Sequence, residues 1–271
     1  MASSAPALAP RATRRVPITV VIPTLNEAAR IGAAVRELAW ADEIIVVDAG
    51  STDETRRLAK DSGAQVMLAV GNTIGTQRNL AIQAARNEWI LALDADERLT
   101  PELRDEIARV ASGPPGHGAH EAYRIRFRNH YLGRELKHGP WGRDWHVRLF
   151  TRDRRFITRR VHEHLDRVDN VGTLRGSVLH DSYRDIGHHA SKIITYSRWG
   201  AADLRARGRR ARLTDLVIRP WWRFVRDYIL YSGWRDGAPG LIAAVLSAFA
   251  AFMKYAFLFT MPARDTRHFA E

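Results

Sequence analysis

The sequence predicts an α/β fold: a mostly parallel central sheet with helices on both faces, followed by a helical, membrane-associating C-terminal region. Three observations predict it. Apolar or β-branched runs, "ITVVIPT", "EIIVVD", "AQVMLAV" and "WILALDADE", alternate with stretches of helical spacing through residues 18–110, the pattern of βαβ units. An apolar segment at 240–261 is long enough to cross a bilayer. Of the net charge of +12, residues 1–100 carry −1 and residues 101–271 carry +13. The basic excess therefore belongs to the second part, where a polyanion or an anionic membrane face is the expected neighbour. Only four of the 42 basic residues are Lys, so an overall preference for Arg is the competing source of that charge.

The elements follow in order. Residues 1–15 are rich in Ala, Pro and Ser without a continuous apolar stretch. They read as a disordered tail, not a secretory signal. "ITVVIPT" is a buried strand ended by Pro23. "LNEAARIGAAVRELAWA" (25–41) has helical spacing through Ile31, Val35 and Leu38. The second strand closes on Asp48 and Gly50, with Ser51 or Thr52 as the N-cap of a helix that Gly63 ends. After the third strand, "GTQRN" (75–79) opens a helix. "WILALDADE" is the fourth strand, and Thr100-Pro101 starts another helix through Val110.

"SGPPGHG" (112–118) is a loop and the best internal boundary. It divides a domain of residues 16–183 into halves 16–111 and 119–183, with a helical, apolar region over 184–271. In "EAYRIRFRNHYLG" apolar residues alternate with Arg124, Arg126 and Arg128, as in a half-buried strand. "HVRLFTRDRRFIT" (146–158) reads as a hairpin turning at "TRDR", and a basic helix is expected over 185–210. The chain has no cysteine, which excludes disulfides, thiolate catalysis and cysteine-held metals. An apolar content of 45% excludes global disorder.

Ligands of an open parallel sheet bind beyond the carboxyl ends of its strands. Those ends carry Thr24, Asn26 and Glu27; Asp48, Gly50, Ser51 and Asp53; and Asp94 and Asp96. Asp94 and Asp96 lie two apart on an extended segment, roughly 6–7 Å between Cα atoms and on one side of it. Two carboxylates so placed reach one hard cation, and a diphosphate can complete its oxygen shell. The other reading is a solvated acidic loop. Arg78 and the backbone N–H groups of "GTQRN" suit phosphate, or are an ordinary helix start.

Taken together, "VVIPTLNEAARI", "ADEIIVVDAGSTDET", "GTQRNLA" and "WILALDADERLTPEL" resemble the family 2 glycosyltransferases of the GT-A (Rossmann-like) fold. "WHVRLF", "RRVHEHL", "LHDSYRD" and "GLIAAVLSAFAAFMKYA" resemble the subfamily of lipopolysaccharide core β-1,4-glucosyltransferases. The resemblance implies an inverting, Mg²⁺- or Mn²⁺-dependent hexosyltransferase using a UDP-sugar, glucose first, and a lipid-linked acceptor. It implies that Pro23, Thr24, Asn26 and Glu27 grip the nucleoside and that Asp48, Gly50 and Ser51 lie at uracil or ribose. It places Arg78 near the diphosphate, and Asp94, Ala95 and Asp96 at the sugar-nucleotide, with Asp94 and Asp96 holding the metal. Many members show Asp-Asp-Gly-Ser where this chain has Asp48-Ala49-Gly50-Ser51.

An inverting transfer needs a carboxylate to take the acceptor's proton. Chain order favours Glu163, then Asp144, with His162 shaping the site. His162 and His164 read as polar loop positions in preference to zinc ligands, and His188 and His189 as helix surface. Arg124, Arg126, Arg128, Arg143 and Arg148 either bind a phosphorylated acceptor or line an exposed sheet face. In 240–261 the small or polar residues Gly240, Ala243, Ala244, Ser247 and Lys254 share one helix face. Trp221, Trp222, Tyr228 and Trp234 sit among arginines just upstream, a headgroup-zone pattern. The expectation is peripheral or monotopic attachment to the cytoplasmic face of the inner membrane, with a full span as the alternative. A polyprenyl-phosphate acceptor is the rival reading within the fold. A basic nucleic-acid binder is the rival of a different class, disfavoured because the charge adjoins an apolar tail and no base-reading motif.

Overall fold

The four expected strands become β1 (Val16–Thr24), β2 (Ala41–Asp48), β3 (Gln65–Leu68) and β4 (Trp89–Ala92) of a computed structural model. It describes residues 15–113, 120–157, 164–166, 168–181, 183 and 185–262. They run parallel in the order β3-β2-β1-β4. The helices between them are α1 (Ile31–Glu37), α2 (Thr55–Asp61) and α3 (Ile74–Ala84). Alternate strand residues face opposite sides. Val20, Ile22, Ile44, Val46 and Leu91 join one core with α1 and α2. Val21, Ile45, Val47 and Ile90 join the other with Ala81 and Ile82 of α3. Both faces are dry, so the strands are nearly continuously apolar.

Two expected helices start later than read. Helix α1 begins at Ile31 because residues 25–30 form a loop tied to the next loop. Helix α2 has no side-chain cap from Ser51 or Thr52; Asp53 Oδ1 instead accepts the Thr55 N–H at 3.0 Å.

The fourth expected strand is two. β4 ends at Ala92, the chain turns through Asp94–Asp96, and β5 (Glu97–Leu99) leaves to pair elsewhere. Glu97 closes the turn: its N–H donates to the Asp94 carbonyl at 3.1 Å, and its Oε2 accepts the Asp94 N–H at 2.9 Å. Thr100 then caps α4 (Pro101–Ser112), as Pro at the first position suggested.

The remaining strands are β6 (Ala122–Tyr131), β7 (Arg134–Glu135), β8 (Trp145–Thr151) and β9 (Val171–Asp181). They continue the same sheet as β4-β8-β6-β9-β5, with β7 on β6. This half is mixed: β8 is antiparallel to β4 and β6, and β6 is parallel to β9. The sheet therefore crosses the boundary expected at 112–118. The expected hairpin over 146–158 does not form. β8 is already paired on both edges, and Phe156 bridges Leu165 instead.

Three long helices follow: α5 (Ile186–Ala206), α6 (Leu213–Phe224) and α7 (Gly237–Thr260). Helix α7 packs along both others. Ser197 Oγ donates to the Ala250 carbonyl at 3.1 Å, Arg198 stacks on Phe257, and Arg205 reaches the Met261 carbonyl at 3.0 Å. From α6, Arg223 Nε donates to Ser247 Oγ at 2.8 Å and Arg219 lies 4.7 Å over the Tyr255 ring. Gly240 permits the turn before α7 to close, since a Cβ there would sit 2.1 Å from the Gly233 carbonyl oxygen. His138 joins this region to the sheet by two bonds to Asp236, at 2.8 and 2.7 Å.

His189 departs from its expected surface place. It is buried, with Nδ1 3.0 Å from Tyr131 Oη and its ring stacked on Tyr183 at 3.8 Å. Burial pulls its pKa down to about 4, helped by Lys192. A histidine whose folded pKa is depressed favours folding above its unfolded value of 6.5 and loses that contribution as pH falls toward 4. Wild-type protein should therefore lose unfolding temperature relative to His189→Phe between those pH values. Parallel curves for the two proteins would contradict the burial argument.

Candidate functional site

The β1–β2 register sets Thr24 beside Asp48 at the carboxyl edge, and the β1–β4 pairing brings Asp94 to the same end. There two loops lock together. Asp48 is fully buried. Its Oδ1 accepts the N–H groups of Gly50 and Ser51 at 3.0 and 2.8 Å, and its Oδ2 faces the hydroxyls of Thr24 and Ser51. The carboxylate is thus occupied by its own loop. Where the resemblance implied a contact with base or ribose, this carboxylate also holds the N–H and hydroxyl groups of the two loops. Gly50, at φ +105°, makes the turn that a side chain would strain.

Asn26 ties the loops from the other side. Its N–H donates to Ser51 Oγ at 2.8 Å and its Oδ1 accepts the Thr52 N–H at 2.9 Å. Asp53 adds a bond from the Ala28 N–H, and the Glu27 N–H donates to Thr55 Oγ1. Pro23, the penultimate residue of β1, stands in register with Val47, half-buried. Thr24, Asn26, Glu27, Asp48, Gly50 and Ser51 therefore come together, as a rigid double loop. Ala95 is buried in the core, so only its backbone faces the edge.

Beside this loop lies the acidic turn. Arg78 of α3, buried and 5.0 Å over the Phe156 ring, donates to Asp94 Oδ1 at 2.6 Å. Arg148 of β8 donates to Glu97 Oε1 at 2.8 Å and stands 3.5 Å from Asp94 Oδ2. Arg30 lies 3.4 Å from Asp96 Oδ2, and His180 3.8 Å from Asp96 Oδ1. The clustered acids are met by three guanidiniums of the protein itself, drawn from three separate elements. Burial opposes the charge on Asp94, but Arg78 and Arg148 outweigh it and hold its carboxyl well below the usual range. Glu97 goes the other way: burial, reinforced by Asp94 and Asp96, lifts it against the pull of Arg148. Burial likewise lowers His180, opposed by Asp96.

Arg148 is therefore not on an exposed arginine face. That grouping fails because its neighbours in the strand pattern go elsewhere: Arg128 pairs with Glu135 at 2.7 Å and Arg124 with Thr173 and Trp145. Its partners lie about 50 residues upstream, beyond any local pattern. Arg30 and His180 were missed for the same reason. Arg148→Met removes one of the two guanidiniums that hold the Asp94 carboxylate ionised, costing about 1–3 kcal/mol and roughly 2–12 °C in unfolding temperature. Glu97, which burial already pushes toward its neutral form, should contribute little to that loss. A variant as stable as wild type would remove Arg148 from this account.

Asp144, the second candidate base, follows a short turn at Trp141–Arg143. His146 lies 2.7 Å from its Oδ1 and Asn129 Nδ2 donates to its Oδ2 at 3.0 Å. Burial works against its charge, but these partners prevail and keep its pKa low. Asn129 Oδ1 in turn meets His180 Nδ1 at 2.8 Å. A polar chain thus runs from Asp144 through Asn129 and His180 toward Asp96. Glu163, the first candidate, and His162 lie outside the described residues, as do residues 1–14 of the expected tail.

Asp94 and Asp96 offer hard oxygens, and Asp94, a third exposed, is held deprotonated. Among the described residues no group of three or more His, Cys, Asp or Glu gathers to hold an ion. The donor set fits Mg²⁺ or Mn²⁺ completed by ligand oxygens, the way Mg²⁺ usually sits between one or two carboxylates and a phosphate.

Residues 19–164 match Glycosyl transferase family 2. The chain is 29% identical over 250 residues to an uncharacterised glycosyltransferase of Rickettsia prowazekii (strain Madrid E), covering 88% of this chain and 85% of that protein. It is 28% identical over 261 residues to the lipopolysaccharide core biosynthesis glycosyltransferase LpsC of Rhizobium meliloti (strain 1021), covering 93% and 96%. Glucosyl-3-phosphoglycerate synthase from Mycobacterium tuberculosis, solved with Mn²⁺, UDP and phosphoglyceric acid, aligns with 26% identity over 41% of this chain and 43% of that one, at a TM-score of 0.34. With the family match spanning more than half of its length, this chain belongs to glycosyl transferase family 2 and is a glycosyltransferase.

Proposed function

We propose that the enzyme moves a hexose, glucose first, from a UDP-sugar to a lipid-linked saccharide of the lipopolysaccharide core type, with inversion. The observation that carries the donor side is the Asp94–Asp96 turn ringed by Arg30, Arg78 and Arg148 at the carboxyl edge. The double loop of Asn26 and Asp48 forms a rigid wall for the nucleoside, through backbone groups and Thr24. Asp94 and Asp96 hold Mg²⁺ or Mn²⁺, which when bound neutralises charge building on the leaving diphosphate. Arg78 and Arg148 are placed to share that charge. The acceptor hydroxyl attacks the anomeric carbon from the side opposite the diphosphate. Glu163 or Asp144 takes its proton. The near full-length similarity to LpsC supports the acceptor class.

A location on the membrane fits such an acceptor. Residues 233–260 are apolar and long enough to cross a bilayer, yet only 17% of the most apolar window is buried. Helix α7 runs beside Arg198 and Arg205 of α5 and Arg219 and Arg223 of α6. A full span would draw those charges into hydrocarbon, at several kcal/mol each. Monotopic attachment to the cytoplasmic face of the inner membrane avoids that cost. The test is transfer from radiolabelled UDP-glucose to a lipid A-core fraction beside a polyprenyl phosphate. Label in the core fraction supports the proposal. Label only in the polyprenyl product, or in neither, overturns it.

A further inference from the structure

Helix α6 is inverted. A helix on the surface of a soluble protein turns its apolar stripe inward; this one turns it out. Leu213, Val217, Ile218, Trp221 and Trp222 are all exposed, Val217 by 70% and Trp221 by 63%, and no residue of α6 is buried. Its arginines, about half exposed, reach back to the protein. Arg219 bonds Asp215 at 2.6 Å and covers Tyr255 of α7. Arg223 bonds Ser247 and lies 3.2 Å from the buried Asp227. On α7 the exposed apolar residues Leu241, Val245, Phe249, Phe252 and Phe259 recur at helical spacing on one face.

The turn that leads into α6 completes the surface. Arg207, Arg209, Arg210 and Arg212 are exposed within six residues and run directly into Leu213. Four cations at the start of an outward apolar face match a layer with anionic headgroups above hydrocarbon. A duplex would take the arginines but leave the apolar face and its two indoles in water. A second copy of this chain would cover the apolar face but set one arginine cluster near another.

We propose that the outward face of α6 with the Arg207–Arg212 turn is a binding surface for anionic phospholipid, α6 lying in the headgroup plane with its indoles at the hydrocarbon boundary. This rests on the membrane location proposed above and adds to it the inserting element and the lipid class. It also orients the enzyme: the face of α7 that packs on α5 and α6 is then turned from the lipid, toward the sheet.

The test is flotation of the full chain with vesicles of phosphatidylcholine alone, and of about three parts phosphatidylcholine to one of phosphatidylglycerol. Wild type should float with the anionic vesicles. Arg207→Gln, Arg209→Gln, Arg210→Gln and Arg212→Gln together should weaken binding by about 100-fold or more. Val217→Ser with Trp221→Ser, which leaves the charge unchanged, should weaken it by about tenfold or more. Unchanged unfolding temperatures and UDP-induced stabilisation would show that both variants keep fold and donor site. Equal binding to the two vesicle types, or a Val217/Trp221 variant that floats like wild type, overturns the proposal. So does self-association through α6, or salt-dependent binding to arbitrary duplex, without vesicle binding. Loss of the UDP response in wild type with flotation intact would defeat the donor reading and leave this one standing.

Discussion

Asp94→Asn is expected to reduce sugar transfer by about 10³-fold, roughly 4 kcal/mol of transition-state stabilisation. The amide keeps the shape of the turn and an acceptor for Arg78, so the chain should still fold, with a lower unfolding temperature because the buried Arg78 loses its counter-charge. What it loses is the negative charge. Asp94 is held deprotonated by Arg78 and Arg148 against the cost of its burial, and it is the group best placed to bind a divalent ion at neutral pH. Asp96→Asn should weaken metal use as well, since its carboxylate is the second of the two oxygen donors on the turn. The measurement is steady-state transfer with Mn²⁺ varied across a wide range. A wild-type rate in Asp94→Asn would separate the acidic turn from the chemistry.

The second large effect concerns the base. Removing it should lower turnover by about 10²–10⁴-fold with little change in the affinity for UDP-sugar. Glu163→Gln and Asp144→Asn are the two variants to compare. The one that carries the proton should lose the acidic limb of the pH–rate profile. For Asp144 that limb would lie below the usual carboxylate range, because His146 and Asn129 hold its pKa down. If Asp144 serves only to orient Asn129 and His180, Asp144→Asn should alter the KM for donor more than turnover. Neither variant changing turnover would place the proton acceptor elsewhere.

The parallel half of the fold was legible because its signals are local. β-Branched runs, Thr100-Pro101 and the polar residues at strand ends each act over a few residues. The mixed half was less so. Whether "ERL" continues β4 or departs to β9 depends on a partner about 80 residues away and on Glu97 turning back to Asp94. The expected hairpin at "TRDR" failed because β4 and β6 claim both edges of β8. At the site, sequence reasoning placed the acids at the right edge and looked to a metal for their counter-charge. It did not find Arg30, Arg148 or His180, whose meeting with those acids is made by tertiary packing. Nor did it foresee the bonds by which the Asp48 carboxylate ties its own loop together. His189, read as helix surface, is buried because Tyr131 and Tyr183 approach from other elements.

The central claim is that the Asp94–Asp96 turn and its arginines form a seat for a metal-bound UDP-sugar. Thermal unfolding of the full chain with UDP, GDP and dTDP, each with and without Mn²⁺, tests it most directly. The account predicts that UDP stabilises the wild type only when Mn²⁺ is present, and that Asp94→Asn, still folded though less stable, loses this response. An unfolding temperature indifferent to every nucleotide, or a UDP response that persists unchanged without metal and in Asp94→Asn, would contradict it.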